Sequence, residues 1–138
     1  NLIQSILAKI EANHAGADDA VMLDSRGFVA ETNATHLFIV EDGTVTTSRL
    51  VACPEGITRE VVLGLCRDSD IPHEVRDVSL TEVYRAEELF CTGTMGELAP
   101  VTQVDGRTIG GGGIGPMTRR LAKLFAACVA AEAEQVLD

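Results

Sequence analysis

Apolar residues recur at helical spacing near both ends of the chain. Close to the beginning, the positions with this spacing are Leu2, Ile3, Ile6, Leu7 and Ile10. Because residues three and four apart share one face of a helix, the pattern predicts an amphipathic helix that ends near Asn13. Another helix is predicted to begin at Pro116, since proline suits the first helical turn. Its apolar face is predicted to carry Leu121, Leu124, Phe125, Cys128 and Val129.

Short apolar runs separated by turn-forming residues lie between these helices. They predict strands over 20–23, 28–31, 35–40, 44–47, 73–78, 88–92 and 100–104. Gly27, Gly43 and Gly106 mark three of the turns that join them. Two further helices are predicted over 58–67, with Val61, Val62 and Leu65 facing inward, and from the capping-box sequence that begins at Ser79. With neither an internal repeat nor a linker, the sequence predicts one α/β domain of the mixed α+β kind over residues 1–138.

The composition narrows the classes of function. Hydrophobic residues make up 46% of the 138 positions, which is typical of a folded globular protein. The net charge of −10 argues against nucleic acid and anionic membranes as partners. Any anion site must therefore use oriented backbone amides or a local arginine. The sequence has neither an apolar run of membrane-spanning length nor a signal-peptide pattern, so we expect a cytoplasmic protein.

Four cysteines are present without a Cys-x-x-Cys pair or nearby histidines at metal-ligand spacing. They are Cys53, Cys66, Cys91 and Cys128. We interpret them as thiols in a reducing compartment rather than as zinc ligands or a disulfide framework, and we expect no metal site.

Three segments hold more glycine and polar residues than folding alone requires. The first is Gly56-Ile57-Thr58 at a predicted helix start, where unpaired N–H groups could bind an anion, although capping by Thr58 is the simpler interpretation. The second is the turn over 92–97, which could form a nest of amides or an ordinary β-turn. The third is Glu31, at the end of an apolar strand. Its carboxylate could lie in a cleft and hold a protonated ring nitrogen, or it could lie in water.

Taken together, the order and spacing of these segments resemble those of one known protein family. No single segment is specific enough to do so. The motifs are Glu31-Thr-Asn-Ala-Thr-His-Leu-Phe38, Glu55-Gly-Ile-Thr-Arg59, Phe90-Cys-Thr-Gly-Thr-Met-Gly-Glu-Leu-Ala-Pro-Val101 and Gly115-Pro-Met-Thr118. Together they resemble the C-terminal domain of class IV (fold type IV) pyridoxal-phosphate-dependent aminotransferases, the branched-chain/D-amino-acid aminotransferase family. The resemblance implies the D-amino-acid aminotransferase-like fold, a pseudo-barrel of mixed strands with flanking helices. Residues 1–138 would then be its single cofactor-binding domain.

The resemblance also implies roles for individual residues. Those implied to bind pyridoxal 5'-phosphate are Glu31, Gly56, Ile57, Thr58 and Thr94. Glu31 would pair with the pyridine nitrogen, and the others would hold the phosphate. Met95 and Gly96 would offer amides near the substrate carboxylate. Apart from the resemblance, Arg59 could serve a phosphate or the end of a helix, but we interpret it as a helix-surface residue in a salt bridge.

The catalytic lysine of the family has no counterpart in this sequence. Its two lysines, Lys9 and Lys123, do not occupy the family position. The opening Asn1-Leu-Ile-Gln resembles the residues that follow the Schiff-base lysine, so that lysine is expected upstream of Asn1. An N-terminal domain with further phosphate and substrate ligands is expected there too. The chain by itself is therefore expected to be inactive.

The function implied for the complete protein is transfer of an amino group between a branched-chain or related amino acid and 2-oxoglutarate. The departures at Leu2 and Pro54 leave the substrate open. Alternatives within the family are a D-amino-acid or (R)-amine transaminase and aminodeoxychorismate lyase. A non-enzymatic domain that retains the fold is an alternative of another class. The resemblance further implies a homodimer.

Overall fold

The computed structural model describes residues 2–50, 56–93 and 97–137. The helices in this part of the chain are α1 (Ile3–His14), α2 (Ile57–Asp68), α3 (Leu80–Arg85) and α4 (Pro116–Leu137). The strands are β1 (Val21–Leu23), β2 (Val29–Thr32), β3 (His36–Glu41), β4 (Thr44–Thr47), β5 (His73–Val75), β6 (Glu88–Thr92), β7 (Leu98–Pro100), β8 (Gln103–Val104) and β9 (Arg107–Thr108). This mixture of helices and strands confirms the predicted α/β class.

The strands form one central sheet and two separate hairpins. The central sheet has the order β5-β4-β3-β6-β7, and β1-β2 and β8-β9 are the hairpins. Within the central sheet, β4 and β5 are parallel and the other neighbours are antiparallel. The central sheet is therefore mixed, and β2 lies outside its hydrogen-bonded ladder.

Two predicted strands were too long. The strand predicted over 73–78 ends at Val75, because the chain then leaves β4 and the carbonyl of Val78 accepts from the N–H of Val29 in β2. The strand predicted over 100–104 divides into β7 and β8, because Gln103 and Val104 turn away from β6 to pair with β9. In both cases the pairing partner, rather than local propensity, ends the strand.

The core has one cluster on each face of the central sheet. On one face, Phe38 of β3 and Phe90 of β6 stack with ring centroids 5.0 Å apart. This cluster also holds buried residues of α2 and α4, which are Val62, Leu63, Cys66 and Leu121. On the other face, Leu37 and Ile39 pack with residues of α3 and of the β8-β9 hairpin. The alternation along β3 divides the two clusters, as expected of a sheet covered on both sides.

The predicted apolar faces of the two terminal helices are largely exposed among the described residues. In α4, Leu121 is buried and Leu124 and Phe125 pack partly on the core, but Val129 is 49% exposed. The predicted apolar face of α4 is therefore only partly covered by the described residues, and its last turns are exposed. The apolar positions of α1 are also exposed, with Leu7 at 60%, so the described residues do not cover this face. No helix in the described part is long and apolar enough to cross a membrane.

Candidate functional site

Helix α2 begins with backbone N–H groups that no side chain among residues 2–50, 56–93 and 97–137 caps. Gly56 is the N-cap residue and has an extended backbone, with φ −100° and ψ 123°. The helix thus starts at Ile57, one residue before the predicted start. The hydroxyl of Thr58 does not cap the helix, because it donates to the carbonyl of Gly93 at 3.4 Å. The simpler interpretation of this segment, capping by Thr58, was therefore wrong.

Gly56 is required here by a close approach to its neighbours. A Cβ atom at this position would lie 2.5 Å from Cδ2 of His36 and 3.3 Å from Cβ of Arg59. Next to it is a depression of about 450 Å³, lined by Gly56, Ile57, Glu60 and Val61. Ile57 is 80% exposed and adds little to the core. An anion can reach the backbone at such a helix start.

A buried polar layer lies beneath the start of α2. His36 in β3 is buried opposite Thr92 in β6, and burial together with the charge of Arg59 lowers the pKa of His36. The imidazole is therefore neutral at pH 7. The Nε atom of Arg59 and the Oγ1 atom of Thr92 are buried and lack hydrogen-bond partners among the described residues. Unpaired buried polar atoms are rare in folded proteins and often mark a functional region.

Arg59 was wrongly interpreted as a helix-surface residue. Its side chain is 3% exposed, although Nη1 does pair with Oε1 of Glu60 at 2.7 Å. The helical spacing contained a signal for this burial, because Arg59, Val62 and Cys66 are three and seven residues apart and all three are buried. The predicted inward positions Val61 and Leu65 are only partly buried. The assumption that an arginine lies at the surface outweighed that signal.

Glu31 lies in β2 next to an irregularity of the β1-β2 hairpin. The register shifts between the pairs Leu23↔Val29 and Met22↔Glu31, which leaves Ala30 as an extra residue in β2. Such a bulge changes the direction of neighbouring side chains and is common beside active sites. The Glu31 carboxylate is partly buried without a hydrogen bond or ion pair from the described residues, and burial raises its pKa. A cationic partner would stabilise its ionised form.

Two hydrogen bonds connect the strand of Glu31 with the start of α2. The hydroxyl of Ser48 donates to the carbonyl of Ala30 at 2.9 Å, and Nη2 of Arg59 donates to the carbonyl of Ser48 at 3.1 Å. The structure thus brings Glu31, Gly56, Ile57 and Thr58 into one region. Sequence reasoning missed Ser48, and nothing in its local sequence indicates this link.

Three predicted site residues lie outside the described residues. They are Thr94, Met95 and Gly96. Gly93, which precedes them, accepts the hydrogen bond from Thr58. The end of β6 therefore lies at the start of α2.

The described cysteines are thiols with no sign of reactivity. Cys66 and Cys91 are buried, Cys128 is partly buried, and all three are free; Cys53 lies outside the described residues. Burial raises the pKa of Cys91 to about 11, so it stays protonated at neutral pH. Within the described ranges, no group of three or more His, Cys, Asp and Glu residues could hold a metal ion.

The family model and the sequence relatives that match this chain agree with each other. The chain matches the family model of class IV amino-transferases over residues 1–104. It is 50% identical over 125 residues to branched-chain-amino-acid aminotransferase-like protein 2 of Arabidopsis thaliana, covering 91% of this chain and 22% of the relative. It is 42% identical over 132 residues to the branched-chain-amino-acid aminotransferase of Pseudomonas aeruginosa, covering 96% of this chain and 43% of the relative.

Solved structures agree with these matches. The T.th. branched-chain amino acid aminotransferase, solved with pyridoxamine 5'-phosphate, superposes with a TM-score of 0.87 at 39% identity. The match covers 91% of this chain and 42% of that protein, so the chain spans less than half the length of these relatives. The family model, the sequence relatives and the shared fold lead to one conclusion: this chain belongs to the class IV aminotransferase family.

Proposed function

We propose that the protein containing this chain transfers amino groups between a branched-chain amino acid and 2-oxoglutarate with pyridoxal 5'-phosphate. The observation that carries the proposal is the helix start at Gly56, which is joined by two hydrogen bonds to the strand of Glu31. In the part of the chain that the structure describes, no side chain caps this helix start and none pairs with the Glu31 carboxylate. The relatives named branched-chain aminotransferases support the amino-acid substrate. The T.th. aminotransferase was also solved with N-(5'-phosphopyridoxyl)-L-glutamate and with 4-methylvaleric acid, which supports glutamate and a branched carbon chain as substrates.

The residues at the start of α2 fit a phosphate group. Pyridoxal phosphate supplies a ring that accepts electrons from the substrate and carries the amino group between the two half-reactions. In the proposal, the N–H groups of Ile57 and Thr58 donate to the phosphate, while Gly56 lets it approach the backbone. The Thr58 hydroxyl is a further donor, since its present bond to Gly93 is long at 3.4 Å. Thr94 is proposed as another phosphate ligand.

Glu31 would hold a proton at the ring nitrogen of the cofactor. Burial has raised its pKa, and a cationic ring nitrogen would provide the partner that its carboxylate lacks. Pairing with that carboxylate would keep the nitrogen protonated and the ring electron-poor. Met95 and Gly96 would bind the substrate carboxylate through turn amides.

This chain supplies no proposed catalytic lysine. Nζ of Lys9 donates to the backbone carbonyl of Asp18, and Lys123 is exposed on α4. We therefore place the lysine that moves the proton upstream of Asn1, and we expect the chain alone to be inactive. Residues 1–138 would form one cofactor-binding domain of a cytoplasmic homodimer, without nucleic-acid or membrane partners.

Substitution of Glu31 by glutamine in the complete protein tests the proposal. Turnover with L-leucine and 2-oxoglutarate should fall by about 100-fold or more, because the neutral amide cannot hold the ring nitrogen protonated. Pyridoxal phosphate should still bind through its phosphate. Glu41→Gln, at the end of β3, is the matched control and should leave turnover unchanged. Unchanged turnover in Glu31→Gln would contradict the role of Glu31.

Two outcomes with the unmodified protein separate the alternatives. A complete protein that stays colourless after addition of pyridoxal phosphate would favour the non-enzymatic domain. Activity with D-alanine and none with L-leucine would favour the D-amino-acid branch.

A further inference from the structure

The strand that carries Glu31 is not held by the central sheet. β2 pairs with β1 in a separate hairpin. Near this point its backbone hydrogen bonds to the rest of the fold run from the N–H of Val29 to the carbonyl of Val78 and from the N–H of Thr32 to the carbonyl of Thr35, just before β3. The position of Glu31 relative to α2 therefore depends on contacts outside the sheet ladder.

Ser48 makes such a contact through its hydroxyl and its backbone carbonyl. It follows β4 directly and is 5% exposed. Its hydroxyl donates to the carbonyl of Ala30, the extra residue of the bulge, and its own carbonyl accepts from Nη2 of Arg59 in the first turn of α2. The contact thus reaches the residue immediately before Glu31 on one side and the start of α2 on the other.

We propose that Ser48 is a positioning residue that sets the separation between the phosphate-binding start of α2 and the carboxylate of Glu31. This inference rests on the proposed function. The phosphate and the pyridine nitrogen lie at different ends of a rigid cofactor, so both can be bound well only if their protein partners are correctly spaced. Since Ser48 is buried and acts through Ala30 and Arg59, it need not touch the cofactor.

Arg59 makes this connection stiff. Its guanidinium is planar and 3% exposed, and it belongs to the same helical turn as Ile57 and Thr58. A shift of the Ser48 carbonyl would therefore move the phosphate-binding turn or break a buried charge-assisted hydrogen bond. The other end of the connection through Ser48 is the bulge at Ala30. A small displacement there would change the direction of the Glu31 side chain.

The adjacent residue Thr47 offers a matched control. Its hydroxyl is buried and donates to the carbonyl of Leu37 at 2.8 Å, a bond of the same kind as that of Ser48. That bond lies between β4 and β3 within the central sheet and does not reach β2. Thr47→Val and Ser48→Ala each remove one buried hydroxyl from neighbouring positions, but only Ser48→Ala removes a contact with the strand of Glu31.

The experiment measures binding of two probes to the complete protein. Pyridoxamine 5'-phosphate reaches both the phosphate site and Glu31 without needing a lysine, and its affinity is measured by calorimetry. Inorganic phosphate reaches only the helix start, and its affinity is measured by phosphorus NMR. Ser48→Ala should weaken pyridoxamine phosphate by about tenfold and leave inorganic phosphate within about twofold. Thr47→Val should leave both affinities within about twofold of the unmodified protein.

In the Ser48→Ala background, Glu31→Gln should also reduce the affinity for pyridoxamine phosphate by a smaller factor, because a misplaced carboxylate contributes less to binding. Ser48→Thr keeps the hydroxyl and should restore binding, which also tests the idea if Ser48→Ala does not fold. Equal weakening of both probes, or no weakening of either, in Ser48→Ala would overturn the positioning role. If Ser48→Ala is unfolded, weak pyridoxamine phosphate binding by a folded Ser48→Thr would overturn it. Failure of the unmodified protein to bind pyridoxamine phosphate would instead overturn the proposed function.

Discussion

Helices α2 and α4 begin on the same side of the central sheet but satisfy their first N–H groups in opposite ways. At α4, the Glu88 carboxylate accepts from the N–H groups of Met117 and Thr118 at 2.9 and 2.8 Å, and from the Thr118 hydroxyl at 2.7 Å. At α2, none of the side chains that the structure describes caps the helix. One helix start is thus occupied by a carboxylate of the protein, while at the other no described carboxylate stands where an anion could bind.

A glycine makes each arrangement possible. A Cβ atom at Gly115 would lie 2.1 Å from Cδ of Glu88, so this glycine makes room for the capping carboxylate. A Cβ atom at Gly56 would instead meet the ring of His36. The depression of about 360 Å³ beside the start of α4, lined partly by Glu88, is therefore a poor candidate for an anion site.

Without a capping side chain from the described residues, α2 lacks an interaction that normally stabilises the start of a helix. A good N-cap side chain contributes about 1 kcal/mol, and α3 has one, since Ser79 and Glu82 form a complete capping box. The fold can therefore cap its helices, but α2 receives no such stabilisation from a described side chain at the site where the proposed cofactor phosphate binds. Three predictions test this contrast.

The largest expected effect on stability follows removal of the α4 cap. Glu88→Ala should lower the free energy of unfolding by about 3 kcal/mol, because it leaves buried N–H and hydroxyl donors without their charged acceptor. Urea denaturation measures the loss. The affinity for pyridoxamine phosphate should stay unchanged in the folded variant.

The neighbouring Glu87 provides the control for Glu88. It is exposed, and Oε1 accepts from the N–H of Asp42 at 3.2 Å. Glu87→Ala should change the free energy of unfolding by less than about 1 kcal/mol. Equal losses in the two variants, or loss of cofactor affinity in folded Glu88→Ala, would contradict the division of roles between the two helix starts.

A smaller loss of stability but a direct effect on the site is expected from Gly56→Ala. The added methyl group must displace the buried ring of His36 or the first turn of α2, which should cost about 1–3 kcal/mol. Affinity for inorganic phosphate should fall by about tenfold or more, since the N–H groups lose their alignment. Denaturation and phosphorus NMR measure the two effects.

Gly64 in the same helix is the matched control. Nothing lies within 4 Å of a Cβ atom at that position. Gly64→Ala should therefore stabilise the protein by about 0.5–1 kcal/mol, because alanine loses less conformational freedom than glycine in a helix interior. Its phosphate affinity should not change. Retained phosphate affinity in Gly56→Ala would show that the close approach at this glycine does not serve an anion.

Local signals in the sequence predicted several elements well. The start of α4 at Pro116, the capping box at Ser79 and the bounds of β6 over 88–92 were all predicted from neighbouring residues and are confirmed. The region of Glu31 and the start of α2 was identified through the family resemblance, because neither segment alone distinguishes a ligand site from an ordinary strand end or cap.

Contacts between distant segments could not be predicted in the same way. The Glu88 carboxylate caps a helix that begins 28 residues later, and Ser48 bonds to a carbonyl 18 residues earlier. Neither residue differs locally from a surface glutamate or a loop serine. The bulge at Ala30 depends likewise on pairing between β1 and β2. Tertiary packing determines these features, and a single sequence does not show directly which distant segments pack together.

The smallest expected effect concerns the carboxylate that, unlike Glu88, has no partner among the described residues. Because burial raises the pKa of Glu31 in the folded chain, its ionisation disfavours folding. Without cofactor, Glu31→Gln should thus stabilise the protein at pH 7, by less than about 1 kcal/mol since a partly buried carboxylate remains partly hydrated. The gain should disappear as the pH falls below about 4, where the carboxyl is protonated in both states. Urea denaturation across this range measures it.

Bound pyridoxamine phosphate should reverse the sign of this effect. A cationic ring nitrogen beside Glu31 favours the ionised carboxylate, so the same substitution should then destabilise the complex at pH 7. Glu41→Gln controls for the general loss of one negative charge from an acidic protein. If Glu31→Gln is already destabilising at pH 7 without ligand, Glu31 has a cationic partner within the protein. In that case the contrast with Glu88 fails, because both carboxylates would serve the fold alone.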